Sequence, residues 1–192
     1  MKFAPLGEGE WSDAAYDAFG VLLGVPGDQV PRAGSGERYD PLNFPIIGSL
    51  AHHPALAKAF LRFNNFHLFK GELPARLREL AIMRVAATRR SAFEYGEHVR
   101  IGTEQAGITL AEVELLEAGN AGFAGADLAA LEAADELLAT NRIADWDGLV
   151  ELLGVHEAIE LIFVVGTYNT LAMALDTWDV PAAADARPLP AP

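Results

Sequence analysis

The chain has 192 residues, of which 51% are hydrophobic and 21% are charged, a composition that excludes intrinsic disorder and favours a compact globule. Its 27 acidic and 14 basic side chains give a net charge of −13, which disfavours general nucleic-acid binding because both molecules would be anionic. It contains no cysteine, so disulfides, thiolate metal sites and thiol catalysis are excluded.

Helical signals dominate along the chain, and alternating strand patterns are absent. Ser12 is placed to cap a short helix through Leu23, and the glycines and prolines that follow predict a long irregular arm. Caps, first-turn prolines and apolar periodicity predict the later helices at about 54–69, 74–88, 91–107, 109–119, 126–140, 146–153 and 156–176.

These signals divide the chain into an N-terminal helix with its arm (1–43), a helical domain (44–181) and a Pro-rich tail (182–192). The tail is expected to be mobile or to lie on a partner. The most apolar stretch, 158–175, approaches the length of a membrane span but carries Glu160 and Asn169, which favours a buried core helix. With no signal-peptide pattern at the N-terminus, the protein is expected to be soluble and cytoplasmic and to bind no membrane.

The positive charge is concentrated in the middle of the chain. Residues 46–107 hold nine basic and five acidic side chains, whereas residues 108–192 hold two basic and fifteen acidic ones. The basic residues either pair with the acidic C-terminal half or create a local field suited to an anionic small molecule.

Glu79 lies among apolar residues in the segment LRELAIMRVA (77–86). At helical spacing it shares a face with Ile82, Met83 and Ala86. Burying an ionised carboxylate is costly, so Glu79 must be paired or have a raised pKa. It is therefore either an acid–base group with a pKa raised toward neutrality or a structural group paired with Arg76 or hydrogen-bonded inside the bundle.

Three polar residues mark the next predicted helix. Ser91 and Glu94 have the spacing of a capping box, in which each side chain satisfies a backbone amide at the helix start. Glu94 and His98 are four residues apart, so they share a face and can hydrogen-bond, which would raise the pKa of the imidazole and fix its orientation. The spacing allows both a purely structural role and proton transfer near neutral pH.

Four segments occur in a recognisable order: HPAL (53–56), LRELAIMRVA (77–86), EYGEHVRIG (94–102) and VVGTYNTLA (164–172). Together they resemble the carboxymuconolactone decarboxylase and alkyl hydroperoxidase D superfamily over roughly residues 44–181. The peroxidase branch carries a Glu, eleven residues, then Cys-x-x-Cys-x-x-x-His, and this spacing falls here on Glu79, Ser91, Glu94 and His98. Both cysteines are replaced, so the chain cannot form the redox disulfide of a thiol peroxidase.

The resemblance implies an all-α helical bundle of the alkyl hydroperoxidase D type and a lyase-like enzyme of aromatic catabolism without metal or organic cofactor. It would carry out decarboxylation or isomerisation on a small anionic or lactone-like molecule, with Glu79, Glu94 and His98 as acid–base residues. The alternative is a catalytically silent small-molecule-binding or assembly protein on the same scaffold. The predicted substrate-binding residues are Arg84, Arg89, Arg90, Ser91, Tyr95 and Tyr168, although Tyr168 in the long apolar helix also suits a polar core position.

The resemblance further implies a homo-oligomer: a dimer, a trimer or a trimer of dimers with the site near subunit contacts. Phe60, Phe63, Phe66 and Phe69 form a stripe that is typical of a core or a subunit interface. No metal-ligand spacing and no Gly-rich nucleotide loop occurs, so no metal site is expected.

Overall fold

A computed structural model describes residues 3–191, and within that range the chain forms nine α-helices and no β-strand. The all-helical fold predicted from the sequence is therefore confirmed. The helices are α1 (Asp13–Leu23), α2 (Pro45–Leu50), α3 (Pro54–Phe69), α4 (Ala75–Arg89), α5 (Ala92–Gln105), α6 (Leu110–Ala118), α7 (Gly125–Thr140), α8 (Trp146–Leu153) and α9 (Val155–Trp178), with 3₁₀ turns at Gly27–Gln29 and Pro41–Asn43.

Most helices begin at the caps that the sequence predicts. The Ser12 hydroxyl accepts the Ala15 N–H at the start of α1. Thr109 and Glu112 form a complete capping box at the start of α6, and Pro54 is the first residue of α3. Local signals thus set most of the helix bounds to within two residues.

The arm is more ordered than predicted, because it contains both 3₁₀ turns and leads directly into α2. Asp40 organises its second half by accepting the backbone N–H groups of Leu42, Gly36 and Gly34 at 2.8–3.2 Å. These hydrogen bonds, that of Leu42 above all, hold the pKa of Asp40 below its ordinary value.

Contacts divide the chain into two compact units. The first comprises the chain up to Lys70 together with Thr177–Val180, and the second comprises Gly71–Asp176 together with the residues from Pro181 onward. The division at Lys70 differs from the boundary predicted near residue 43, because α3 packs along α1 in the first unit.

The first unit has a core of aromatic and aliphatic side chains from α1, α2 and α3. Phe19 is fully buried and packs with Trp11, Tyr16, Ile47 and Leu61. This cluster fixes α3 against α1.

The phenylalanine stripe of α3 is not core within this chain. Phe60 is partly buried, but Phe63, Phe66 and Phe69 are 44%, 44% and 68% exposed. The predicted core role is therefore wrong for these three residues, and their role in a subunit interface stays a prediction.

Helix α4 is the central element of the second unit. Leu80, Ile82, Met83 and Val85 are fully buried, and α5 and α7 pack on this helix. Because its neighbours enclose much of α4, the charged residues Arg78, Glu79 and Arg84 pair with other protein groups.

Helix α9 is long and apolar enough to span a membrane by length and composition, with a mean hydropathy of 1.6. However, 56% of its most apolar window is buried in the protein. Its buried Glu160 accepts the backbone N–H groups of Glu72 and Leu73 at 2.9 Å each, which ties α9 to the segment that leads into α4. Helix α9 therefore packs as the predicted core helix.

The C-terminal tail packs on α5 and α6 of its own chain rather than lying free. Arg187 forms two hydrogen bonds of 2.7 Å to Glu117, and Leu189 packs against the core of the unit. The tail approaches α5 closely at Gly96. A Cβ added at Gly96 would lie only 2.5 Å from the Ala186 Cβ. The tail composition alone gave no sign of these contacts.

Candidate active site

The candidate site is built from α4, α5 and α9 of the second unit. Glu79, in the second turn of α4, is 0% exposed and has the buried side chains of Ile82 and Met83 beside it, as the helical spacing predicts. His98 in the middle of α5 is 7% exposed. The packing of α4 against α5 brings these two residues together from positions nineteen residues apart.

Glu79 and His98 form a buried hydrogen-bonded pair. The His98 Nδ1 lies 2.6 Å from Glu79 Oε2, and the Arg78 Nε donates to Glu79 Oε1 at 3.0 Å. An ionised Glu79 can only accept, so Nδ1 carries the proton in this pair and Nε2 is the ring nitrogen outside it.

The predicted rise of the Glu79 pKa toward neutrality is wrong. Burial acts to raise it, but the hydrogen bond from His98 and the charges of His98 and Arg78 outweigh burial and leave the pKa below its ordinary value. The alternative pairing with Arg76 is also wrong, because Arg76 donates to Asp127 and Glu112. Glu79 is thus an ionised carboxylate stabilised by His98 and Arg78, and not a protonated carboxylic acid.

Tyr168 from α9 meets the imidazole from another side. Its ring stands edge-on to the His98 ring, with centroids 4.8 Å apart and planes at 86°. This T-shaped contact, together with the Glu79 hydrogen bond, fixes the imidazole orientation. Tyr168 was predicted to reach a pocket, and the structure places it beside His98.

Ser91 and Glu94 do not form the predicted capping box. Ser91 occupies the position before α5, but its side chain makes no capping hydrogen bond. Among residues 3–191, neither the Ser91 hydroxyl nor either Glu94 carboxyl oxygen has a hydrogen-bond partner of normal geometry. The structural explanation of this motif therefore fails, although the same motif is complete at Thr109 and Glu112.

Glu94 has a strongly raised pKa of about 8. Burial is the main cause, the charge of Asp176 at the end of α9 adds to it, and the nearby Ser91 hydroxyl opposes it. The predicted hydrogen bond between Glu94 and His98 is absent in the described part of the chain, because the His98 Nδ1 is taken by Glu79. Glu94 is therefore a protonated carboxyl near pH 7, and the residue that orients His98 is Glu79.

The three arginines predicted to hold an anion each have a partner. Arg84 pairs with Asp135 at 3.4 Å and donates to Asn120. Arg89 and Arg90 donate at 2.6 Å and 2.5 Å to the Asn169 side chain and the Pro190 carbonyl. The Arg84–Asp135 pair agrees with the predicted pairing of basic residues with the acidic C-terminal half. None of these contacts involves the Glu79–His98 pair.

The Tyr95 hydroxyl also makes its hydrogen bond away from the Glu79–His98 pair. It donates to Glu117 at 2.6 Å, and Glu117 in turn accepts from Arg187 of the tail. Burial and the Glu117 carboxylate raise the pKa of Tyr95 above its ordinary value. The structure gives Tyr95 a role in fastening the tail to α5.

Two residues of the site were missed by the sequence analysis. Arg78 is adjacent to Glu79 in sequence, and neighbouring helical residues ordinarily face different directions, so no spacing rule marks this contact. Asp176 follows Glu94 by 82 residues, and only the packing of α9 shows that its charge acts there. In the part of the chain that the structure describes, no group of three His, Asp or Glu side chains is arranged to hold a metal ion.

Residues 54–136 match the model of the carboxymuconolactone decarboxylase family. This stretch contains Glu79, Ser91, Glu94 and His98, and the match agrees with the resemblance that the sequence segments gave. No curated protein matches the sequence.

Proposed function

We propose that this protein is a lyase-like enzyme that carries out acid–base chemistry without a cofactor, as in decarboxylation or isomerisation, on a small anionic or lactone-like molecule in the cytoplasm. The observation that supports this proposal is the buried Glu79–His98 pair, whose Nδ1–Oε2 distance is 2.6 Å. A histidine held by a carboxylate at one nitrogen is oriented to exchange protons at the other.

In this proposal Glu79 keeps the Nδ1 proton in place and stabilises the imidazolium that forms when Nε2 takes a proton from the substrate. Tyr168 prevents the ring from turning. In isomerisation, His98 then returns the proton to another atom of the substrate. In decarboxylation, the electron pair of the breaking C–C bond stays on the substrate as CO₂ leaves, a protonated His98 supplies the proton that replaces CO₂, and His98 takes up a proton from water to restore its starting state. General acid–base catalysis of this kind contributes roughly 10²–10⁴-fold to the rate.

Thiol chemistry is not part of the proposal, because the chain has no cysteine to supply a thiolate. We expect the purified protein to show no thiol-dependent reduction of hydroperoxides.

The second candidate is a silent binding or assembly protein on the same scaffold. It is favoured by the deep burial of the pair, with Glu79 at 0% and His98 at 7% exposure, and by the protein partners of Arg84, Arg89 and Arg90. Such a protein would keep the Glu79–His98 pair only to stabilise the packing of α4 on α5.

A turnover assay distinguishes the enzyme from the silent scaffold. The substrates are small lactone carboxylates and keto acids, and the reaction is followed by proton NMR in deuterated water. We expect deuterium incorporation or product formation that falls at least about 100-fold in His98→Asn and Glu79→Gln. His156→Asn is the matched control, because exposed His156 also pairs with a glutamate, Glu72, and lies outside the site. Turnover that survives in His98→Asn, or no turnover of this substrate class by the unaltered protein, would favour the silent scaffold.

A further inference from the structure

The C-terminal tail is bound to the second unit in the way a peptide ligand is bound, without regular secondary structure of its own. From Pro181 to Ala191 the described chain contains one turn, in which the Ala186 N–H donates to the Ala183 carbonyl at 3.1 Å. After this turn exposure repeats every three residues: Pro188 and Ala191 are exposed, and the two residues before each of them are half-buried. Three residues per turn is the period of a polyproline II helix, the form in which proline-rich segments dock into grooves.

The arginine of the tail supplies its main polar contact. The Arg187 Nε and Nη2 donate to the two carboxyl oxygens of Glu117 at 2.7 Å each. A planar guanidinium that donates two parallel hydrogen bonds to a carboxylate is selective for arginine, because the ammonium group of lysine acts as a point charge. The hydrogen bond from Arg187, above all, holds the pKa of Glu117 below its ordinary value, so the carboxylate is ionised near neutral pH.

Two further contacts follow Arg187 along the tail. Leu189 packs against the apolar cluster that includes Tyr95. The Pro190 carbonyl accepts a hydrogen bond from the Arg90 Nη1 at 2.5 Å. The order of the three contacts defines a recognition pattern: an arginine, then a leucine two residues later, then a proline whose carbonyl meets a cation.

The residues that receive the tail are held by the helices and not by the tail itself. Tyr95, fully buried in α5, donates to Glu117 at 2.6 Å and thereby orients the carboxylate near the end of α6. Arg90 follows α4, and its backbone N–H donates to carbonyls of that helix. Gly96 leaves the space that Ala186 fills, since a Cβ there would lie 2.5 Å from the Ala186 Cβ. A groove fixed in this way keeps its shape when its ligand leaves.

We propose that these residues of α4, α5 and α6 form a peptide-binding groove. Its ligand is a proline-rich segment of a partner protein with the pattern Arg-x-Leu-Pro, and the tail of this chain is a competitor for the same groove. The net charge of −13 attracts a segment that carries an arginine. The inference goes beyond the proposed function and does not depend on it, because the groove uses neither residue of the Glu79–His98 pair.

A partner protein is favoured over a second copy of this chain as the source of the segment. Two copies gain no contact by exchanging tails, because each tail already makes the same contacts within its own chain. A tethered tail competes at an effective concentration on the order of millimolar. A partner segment therefore binds when its affinity exceeds that of the tail or when the tail is released.

The test is a titration with a fluorescently labelled synthetic peptide of the sequence ADARPLPA (184–191), followed by fluorescence anisotropy. The full-length Arg187→Ala protein has a weakened tail and an unchanged groove. We expect it to bind the peptide at least about 10-fold more tightly than the unaltered protein, whose tail competes. A peptide with alanine in place of its arginine should bind Arg187→Ala roughly 10-fold more weakly or worse.

A change in the groove should act like the change in the peptide. Glu117→Gln, combined with Arg187→Ala, should lower the affinity roughly 10-fold or more, because it removes the carboxylate that binds the arginine. Glu114→Gln is the matched control, since Glu114 is exposed on the same helix, and it should leave the affinity unchanged. The alanine peptide needs no change in the groove, so it tests the arginine contact even where Glu117→Gln impairs folding.

Absence of binding to Arg187→Ala, or equal binding of the arginine and alanine peptides, would overturn the inference. Unlabelled unaltered protein, added to the labelled peptide bound to Arg187→Ala, tests the second copy as the occupant. We expect no displacement, because the unaltered tail is held in its own groove. Displacement would assign the groove to the tail of a second copy and would contradict the proposal of a partner protein.

Discussion

At neutral pH, Glu79 is a carboxylate and Glu94 is a neutral acid, although both are almost completely buried. The difference comes from their neighbours. Glu79 accepts from His98 and Arg78, whereas Glu94 has no cation acting on it and feels the negative charge of Asp176. Carboxyl groups whose surroundings give them different charge states are common in acid–base sites.

The raised pKa of Glu94 predicts that it destabilises the protein at alkaline pH. Its folded pKa of about 8 lies above the ordinary value of 4.5, so its full stabilising contribution is present below pH 4.5 and is lost as the pH rises toward 8. The free energy of unfolding should fall by up to about 1.4 kcal/mol per pH unit in that window. Glu94→Gln should remove this slope and become more stable than the unaltered protein at pH 8.

Urea unfolding at pH 5, 6.5 and 8 measures this difference, and Glu97→Gln is the control on the same helix. A stability difference between Glu94→Gln and the unaltered protein that does not change with pH would show that Glu94 is ionised throughout.

Sequence reasoning assigned the orientation of His98 to Glu94, whereas the structure gives this contact to Glu79. The spacing of Glu94 and His98 on one helix face predicts a hydrogen bond, because pairs four residues apart are neighbours. The packing of α4 on α5 instead brings Glu79 to the His98 Nδ1. Side-chain partners across helices depend on helix rotation and separation, which single-helix spacing does not encode.

At the scale of the element, the helix starts could be predicted because caps are local. Thr109 and Glu112 form a full capping box, while Ser91 and Glu94 have the same spacing and form none. The two motifs differ in their surroundings, because Ser91 and Glu94 are buried whereas Thr109 is exposed. A capping motif therefore predicts a helix start reliably but not the use of its side chains.

The two motifs should respond differently to alanine. Thr109→Ala should lower the free energy of unfolding by about 0.5–2 kcal/mol, because the N–H of Glu112 loses its acceptor. Ser91→Ala should be nearly neutral, since it removes a buried hydroxyl that caps no amide. Thermal unfolding of both variants checks this, and a larger loss for Ser91→Ala than for Thr109→Ala would restore the capping interpretation.

Two helical glycines provide a matched pair for the docking of the tail. Gly96→Ala should destabilise the protein by about 1–3 kcal/mol, because its new Cβ would lie 2.5 Å from the Ala186 Cβ and would displace the tail. Gly166→Ala on α9 meets nothing within 4 Å and should stabilise the protein by about 0.5–1 kcal/mol through helix propensity. Chemical unfolding measures the stability of both variants, and limited proteolysis measures whether the tail is docked. A Gly96→Ala protein whose tail is still fully protected from proteolysis would contradict this account of tail docking.

At the scale of the whole molecule, α9 exposes a continuous uncharged stripe. Val155, Ile159, Phe163 and Met173 lie on one face at helical spacing and are 43–57% exposed. Monomeric proteins seldom expose large apolar patches of this kind. We therefore propose that the protein is a homo-oligomer and that this stripe takes part in the contact.

Light scattering at micromolar concentration tests this proposal. The unaltered protein should have a mass that is a multiple of the 20.5 kDa chain, and Ile159→Glu should shift it toward the monomer because it places a charge in an apolar contact. Glu157→Gln, off the stripe, is the control and should not change the mass. A stable monomer for the unaltered protein would contradict the proposal.

The proton on the His98 ring is the feature on which the proposed chemistry depends. Nitrogen-15 NMR of the ring distinguishes a protonated from an unprotonated nitrogen in the neutral imidazole. We predict a protonated Nδ1 held by Glu79 and an unprotonated Nε2, with this preference lost in Glu79→Leu, which has no acceptor, and retained in Glu94→Gln. A ring protonated at Nε2 instead, or a tautomer unaffected by Glu79→Leu, would contradict the role of Glu79 and with it the proposed acid–base site.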